Sequence, residues 1–124
     1  MNLQLSLKKQ WFEMTKAGIK TEDYRDINKH WIQRLIQPLY NREAWKNEQE
    51  IINNIIENKE HFSRNRMKYF SSNTMTLGYP KSDDAERIIK FEHAGIEIRE
   101  GNPEWGAEVG KLYFVIKHGN KILL

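Results

Sequence analysis

The hydrophobic period changes along this chain, and that change constrains its fold class most. Leu3, Leu5 and Leu7 alternate with Gln4 and Ser6, a period of two that reads as a half-buried strand. Residues 42–62 follow a different rule: Ala44, Trp45, Ile51, Ile52, Ile55, Ile56 and Phe62 recur at three- and four-residue spacing, with Lys, Glu and Asn between them. That is the mark of an amphipathic helix. Near the other end, Leu112, Phe114 and Ile116 alternate with Tyr113 and Val115. The chain must therefore hold helices and strands together, and the expected class is α+β, with five to six short strands and helices inserted near the start.

The remaining expectations follow in chain order. A short helix over residues 9–16 ends at Gly18, because glycine accepts the left-handed conformation of a C-cap. Residues 20–25 read as extended. Asp26 or Asn28 caps a helix carrying Trp31 and Leu35, which Pro38 ends or bends. Residues 61–72 interleave Arg64, Arg66 and Lys68 with Tyr69 and Phe70, a mixture that suits contacts to RNA and equally a loop whose aromatics pack inward. Residues 74–77 form a strand leading into Gly78-Tyr79-Pro80. Residues 86–91 and 95–99 form two strands joined at 92–95, and Gly101-Asn102-Pro103 is a turn. After the strand over 111–118, His118-Gly119-Asn120 turns the chain into a tail over 121–124.

At 124 residues the chain is expected to be one domain with a sizeable core. It has no cysteine, which removes thiol chemistry and argues against a structural zinc site. The four histidines stand too far apart in sequence to form a metal-ligand pair of familiar spacing, and no metal or cofactor is expected. The glycines occur singly, so neither a phosphate loop nor a dinucleotide fingerprint is present. The first residues lack a basic region followed by an apolar run, and no window has the length of a membrane span. The expected location is cytoplasmic, with no membrane partner.

Net charge is only +3, but it is unevenly spread. Residues 1–42 carry eight Lys/Arg against four Asp/Glu, residues 43–60 carry two against five, and residues 61–81 carry four against none. Two basic segments flank an acidic one, and brought together they would form a patch for phosphates. The acidic helix is a packing element or a surface for a second copy, which leaves a homodimer open.

Chemistry concentrates at residues 17–25. Alternation puts Lys20, Glu22 and Tyr24 on one face and Thr21, Asp23 and Arg25 on the other, although a twisted start to the strand lets Lys20 lean toward Asp23. A lysine beside a second cation is pushed toward its neutral form, while a nearby carboxylate holds the charge and can pass protons. Lys20, Asp23 and Arg25 thus contain the parts of an acyl-transfer or phosphate-handling site. A solvated edge strand with ordinary surface charges has the same composition.

Gly18-x-Lys20-x-x-Asp23-x-Arg25 resembles the GxKxxExR signature of the activating signal cointegrator homology (ASCH) family, small β-barrels related to the PUA domains of RNA-modifying enzymes. Asp23 stands where the signature prefers glutamate. Further stretches resemble family landmarks in order over most of the chain: Leu5-Ser6-Leu7-Lys8, Trp11-Phe12, residues 27–35, Gly78-Tyr79, residues 95–98 with Gly101, residues 103–106 and residues 113–116. The resemblance implies a single PUA-like barrel over residues 1–124, with the helical stretch at about 42–62 as an elaboration.

It also implies RNA or a modified nucleoside as the partner, bound in a cleft around Lys20, Asp23 and Arg25. Trp31, Tyr79 and Trp105 would offer flat faces for bases, and Arg34 and Lys81 would offer charge. The same residues have plainer uses: core packing for Trp31 and Trp105, a turn for Tyr79, an ion pair for Arg34. One branch of the family removes acetyl groups from N4-acetylcytidine with the signature lysine and a threonine where Asp23 stands here. Other members are ribonucleases. The alternative is thus an enzyme acting on RNA or nucleosides, with Lys20 and Asp23 as its catalytic pair. The third reading is a protein-interaction role.

Overall fold

Strand β1 spans Asn2–Leu7, and Leu3, Leu5 and Leu7 are its buried residues, as the alternation requires. The structure, a computed structural model, describes residues 1–123. Helix α1, Lys9–Lys16, follows and buries Phe12 and Thr15. Strand β2 is Glu22–Arg25, helix α2 is Lys29–Leu35, and a 3-10 turn covers Ala44–Asn47. Helices α3 (Glu48–Glu57) and α4 (Lys59–Asn65) come next. Strands β3 (Ser72–Leu77), β4 (Ile88–Glu100) and β5 (Leu112–Ile122) complete the described chain, with a 3-10 turn at Pro103–Trp105 between the last two.

The class is α+β, with four α-helices and one five-stranded sheet among the described residues, in the order β1-β3-β4-β5-β2. β1 and β3 are parallel, Leu3 opposite Asn73 and Leu5 opposite Met75. β3 and β4 are antiparallel, Asn73 opposite Phe91. None of the helices described is long and apolar enough to cross a membrane.

Several local expectations need correction. Residues 42–62 do not form one helix. The backbone leaves helical geometry at Asn58 (φ −113°, ψ 32°), whose side-chain amide turns back onto the Asn54 carbonyl at 2.9 Å. The apolar period survives this break because Ile51, Ile55 and Phe62 still reach the core. Part of the expected loop at 61–72 is helical as far as Asn65. The two strands at 86–91 and 95–99 are one, β4. Within it the buried positions pass from odd (Ile89) to even (Ile96, Ile98) across Gly95, which sits at φ 108° where glycine carries no Cβ penalty. His118 to Asn120 is not a turn either, for β5 runs through it to Ile122. Leu124, the end of the expected tail, lies outside the described residues.

The chain divides into two compact units, each assembled from separated segments. The first comprises Met1–Asp23, Tyr69–Gly95 and the chain from Ile116 on. Its core includes Leu3, Leu5, Phe12, Met75, Ile89 and Ile116.

The second unit comprises Tyr24–Lys68 and Ile96–Val115. Asn28 caps α2, its side chain accepting from the Trp31 backbone N–H at 3.0 Å. Ile36 turns extended two residues before Pro38, as proline's restriction on the preceding chain leads one to expect. The stretch then closes on itself: Gln37 N–H donates to the Arg66 carbonyl at 2.9 Å, and Lys68 N–H to the Leu35 carbonyl at 2.8 Å. Ala107, Tyr113 and Val115 form a core cluster with Tyr24 packed against it.

Candidate functional site

The cap of α1 positions Lys20. Gly18, at φ 77°, donates to the Thr15 carbonyl at 3.1 Å, and Ile19 donates to the Met14 carbonyl at 3.0 Å. This pair of bonds is a Schellman cap, which needs a left-handed residue at Gly18. Lys20 N–H adds a bond to the same Met14 carbonyl at 3.1 Å. Lys20 is thus fixed between the helix and β2, outside the strand, and strict alternation does not govern its side chain. Ile19 points to solvent while Lys20 is 3 % exposed.

Inside the first unit Lys20 begins a line of buried polar groups. Its Nζ donates to Asp23 Oδ1 and to the Glu22 carbonyl, the latter at 2.6 Å. The other carboxylate oxygen, Asp23 Oδ2, lies 2.6 Å from His118 Nε2. His118 Nδ1 lies 2.8 Å from Asn73 Nδ2, and Asn73 Oδ1 lies 2.7 Å from His93 Nδ1. Asn73 is 0 % exposed, Asp23 2 % and the His118 side chain 2 %.

The protons in this line can be assigned from its fixed ends. Asn73 Nδ2 also lies 3.1 Å from the Lys117 carbonyl, which can only accept, so this atom is the amide nitrogen and Oδ1 faces His93. His118 Nδ1 therefore accepts and its Nε2–H donates to Asp23. The donors run from His93 to Asn73 to His118 to Asp23, with Lys20 meeting the carboxylate from the other side. The relay of donors ends on one anion, Asp23.

Burial alone would raise the Asp23 pKa. The hydrogen bond from His118, the Lys20 charge and the Lys20 hydrogen bond outweigh it, and the pKa falls to about 2. His93, at the partly exposed end, is held below the usual histidine value by burial first and then by the Lys117 charge. The rings are packed as well as bonded: His118 lies 5.7 Å from Phe91 and His93 lies 5.4 Å from Phe70, centroid to centroid. No cluster of three or more His, Cys, Asp or Glu that could hold a metal occurs among the described residues.

As bonded, Lys20 is a donor to two acceptors and both ring nitrogens of His118 are engaged. This arrangement stores and fixes charge rather than presenting a lone pair to a substrate. Its physical effect is to pin the start of β2, which is reinforced by His118 N–H donating to the Thr21 carbonyl at 3.0 Å.

The second unit brings together three more of the expected residues. The Arg25 guanidinium lies 5.2 Å from the Trp31 ring centroid, and the Arg34 guanidinium 5.4 Å from it. His30 meets the same ring edge-on at 4.9 Å. Trp31 is partly exposed, so the face shared with Leu35 does not bury it fully. Trp105 is partly exposed on its 3-10 turn in the same unit. Tyr79, in the first unit, is 97 % exposed on the loop after β3, and Lys81 is exposed two residues on.

Sequence reading missed His118, Asn73 and His93. A signal was present: Asn73 stands two residues from Met75 and His118 two from Ile116, so alternation alone aims both polar groups toward a core. Reading His118 as a turn hid it. No protein-family model, no curated protein and no solved structure matches the chain.

Proposed function

We propose that this chain is a PUA-like domain of the ASCH type that binds RNA or a modified nucleoside next to the Gly18–Arg25 motif, with Arg25, Trp31 and Arg34 as the contact residues. The observation that carries this reading is the packing of two guanidinium groups, 5.2 and 5.4 Å away, on one partly exposed indole. Guanidinium groups pair with phosphates in a fork geometry, and flat rings stack on unpaired bases. The combination suits single-stranded RNA better than duplex, whose bases are closed to stacking.

In this reading Lys20, Asp23 and His118 are scaffold. They fix the first half of β2, and Arg25 follows two residues after Asp23 in the same strand. The partner is met by residues of the second unit.

Fluorescence anisotropy with labelled single-stranded and hairpin RNA tests this. Wild type is expected to bind the single strand more tightly, and Trp31→Leu to weaken that binding by about 1–3 kcal/mol, the range for one stacked base. Equal affinity of wild type and Trp31→Leu, with both proteins folded, would sink the proposal.

A further inference from the structure

A second cluster of cations and rings lies elsewhere in the second unit. A cleft of about 450 Å3 is lined by Lys29, Gln33, Tyr40, Arg42, Trp45 and Lys46. Lys29 and Gln33 are one helical turn apart on α2, while Trp31 is about 200° round the helix from Lys29. The cleft therefore uses a different side of α2 from the Trp31 platform. Beside it a recess of about 220 Å3 adds Ile32, Ile36, Pro38 and Leu39, and shares Gln33, Tyr40 and Trp45 with the cleft.

The two parts ask for different chemistry. The cleft holds three cations. Lys46 is paired with Glu43 at 3.1 Å, but both ends of that pair are well exposed and the attraction is weak. The Lys29 ammonium sits over the Trp45 ring at 5.6 Å, and neither it nor Arg42 has an ion-pair partner among the described residues. Glu48 accepts from the Lys29 backbone N–H at 3.1 Å. The charge pattern calls for an anion of more than one charge, such as a phosphate monoester.

The recess calls for something flat and largely apolar. Tyr40 and Trp45 meet at 5.8 Å and 70°, with Asn54 donating to the Tyr40 hydroxyl at 3.2 Å. Gln33, at the border of both parts, offers a donor and an acceptor on one amide, the pattern that reads the edge of a base. Cleft volume falls in the range of small-molecule sites, roughly 300–1,000 Å3. We infer that this cleft is a nucleotide site, with Lys29, Arg42 and Lys46 holding the phosphate and the Tyr40–Trp45 recess receiving the base.

Inorganic phosphate satisfies only the first requirement and a nucleoside only the second. A nucleotide satisfies both, and the site is independent of the Trp31 platform.

Isothermal titration calorimetry of the full chain, with AMP, adenosine, phenyl phosphate and inorganic phosphate as probes, decides the matter. AMP is expected to saturate at one per chain and to bind more tightly than the other three. Arg42→Ala, at an exposed position, should weaken AMP about tenfold or more, the loss of a charged hydrogen bond. Gln33→Leu should narrow the gap between AMP and phenyl phosphate. Lys121→Ala, which removes an exposed cation of the first unit, should leave AMP binding unchanged. Absence of saturation, phenyl phosphate or phosphate binding as tightly as AMP, or equal loss in Lys121→Ala would each overturn the inference. Anisotropy with RNA on Arg42→Ala is read separately, so failure of the nucleotide site and failure of the RNA platform give different results.

Discussion

Asp23 is the residue on which the buried polar line of the first unit depends. Its folded pKa of about 2 lies below the value of about 3.9 for a free aspartate. A depressed carboxylate pKa stabilises the fold above the unfolded value, and the gain is lost as pH falls through the folded one. The contribution is about 2–3 kcal/mol, present above pH ~4 and gone below pH ~2. Urea unfolding across pH 2 to 5 measures it, and Asp23→Asn should flatten that part of the curve. His93 adds a step at higher pH with the same sign. Its pKa is lowered on folding, so the unfolded chain takes the proton first as pH drops below about 6.5. His93→Gln removes that step.

Asp23→Asn also leaves the Lys20 charge buried without its counter-charge, at a cost of about 3–5 kcal/mol. The double variant Lys20→Met with Asp23→Leu should cost less than the sum of the singles, because neither charge is left buried alone, although His118 Nε2–H still loses its acceptor. Strict additivity in that cycle would mean that the pair is not coupled. Lys20 and Asp23 were legible as partners because they are three residues apart. His118 and Asn73 were not: the bonds that bring them in span 95 and 45 residues, and no local period encodes such a pairing.

At the scale of elements, the chain announced the kind of structure better than its ends. Hydrophobic period gave β1, α1 and the buried run of β5, and capping chemistry gave α2 with Asn28 as one of two candidates. The break at Asn58 left no trace, since an exposed asparagine inside a helix and one between two helices look alike in sequence. Gly95 misled for the opposite reason. It was read as the junction between two strands, whereas it lies within one strand and lets the buried face change sides. A Cβ there would meet only the Lys117 side chain, at 3.6 Å, so the cost of Gly95→Ala is conformational rather than steric. It should be about 1–3 kcal/mol. Asn28→Ala, which removes the bond to Trp31 N–H, should cost about 1 kcal/mol. Chemical denaturation of both variants checks the two figures. A Gly95→Ala protein as stable as wild type would show that β4 does not need its left-handed residue.

For the whole molecule, a net charge of +3 is too small to hold RNA by general attraction, so the proposed RNA binding requires placed groups. Charge and stacking can be told apart by salt. Each phosphate neutralised on a single strand adds about −0.7 to the slope of log K against log salt. Arg34→Gln should therefore make the slope shallower by about 0.7 as well as lowering affinity. Trp31→Leu should lower affinity and leave the slope alone, because a ring releases no counterions. Arg34→Lys should keep the slope yet bind less tightly, since an ammonium keeps the charge but neither forks nor stacks as a guanidinium does. Lys20→Met is the informative contrast: a buried ammonium that already donates to Asp23 should change stability and not slope. Anisotropy titrations at several salt concentrations give all four slopes. If Lys20→Met lowers the slope as Arg34→Gln does, the lysine itself reaches phosphate and the motif is part of the RNA surface. If its slope matches wild type, Lys20 takes no phosphate, and Arg25, Trp31 and Arg34 remain the proposed contact residues.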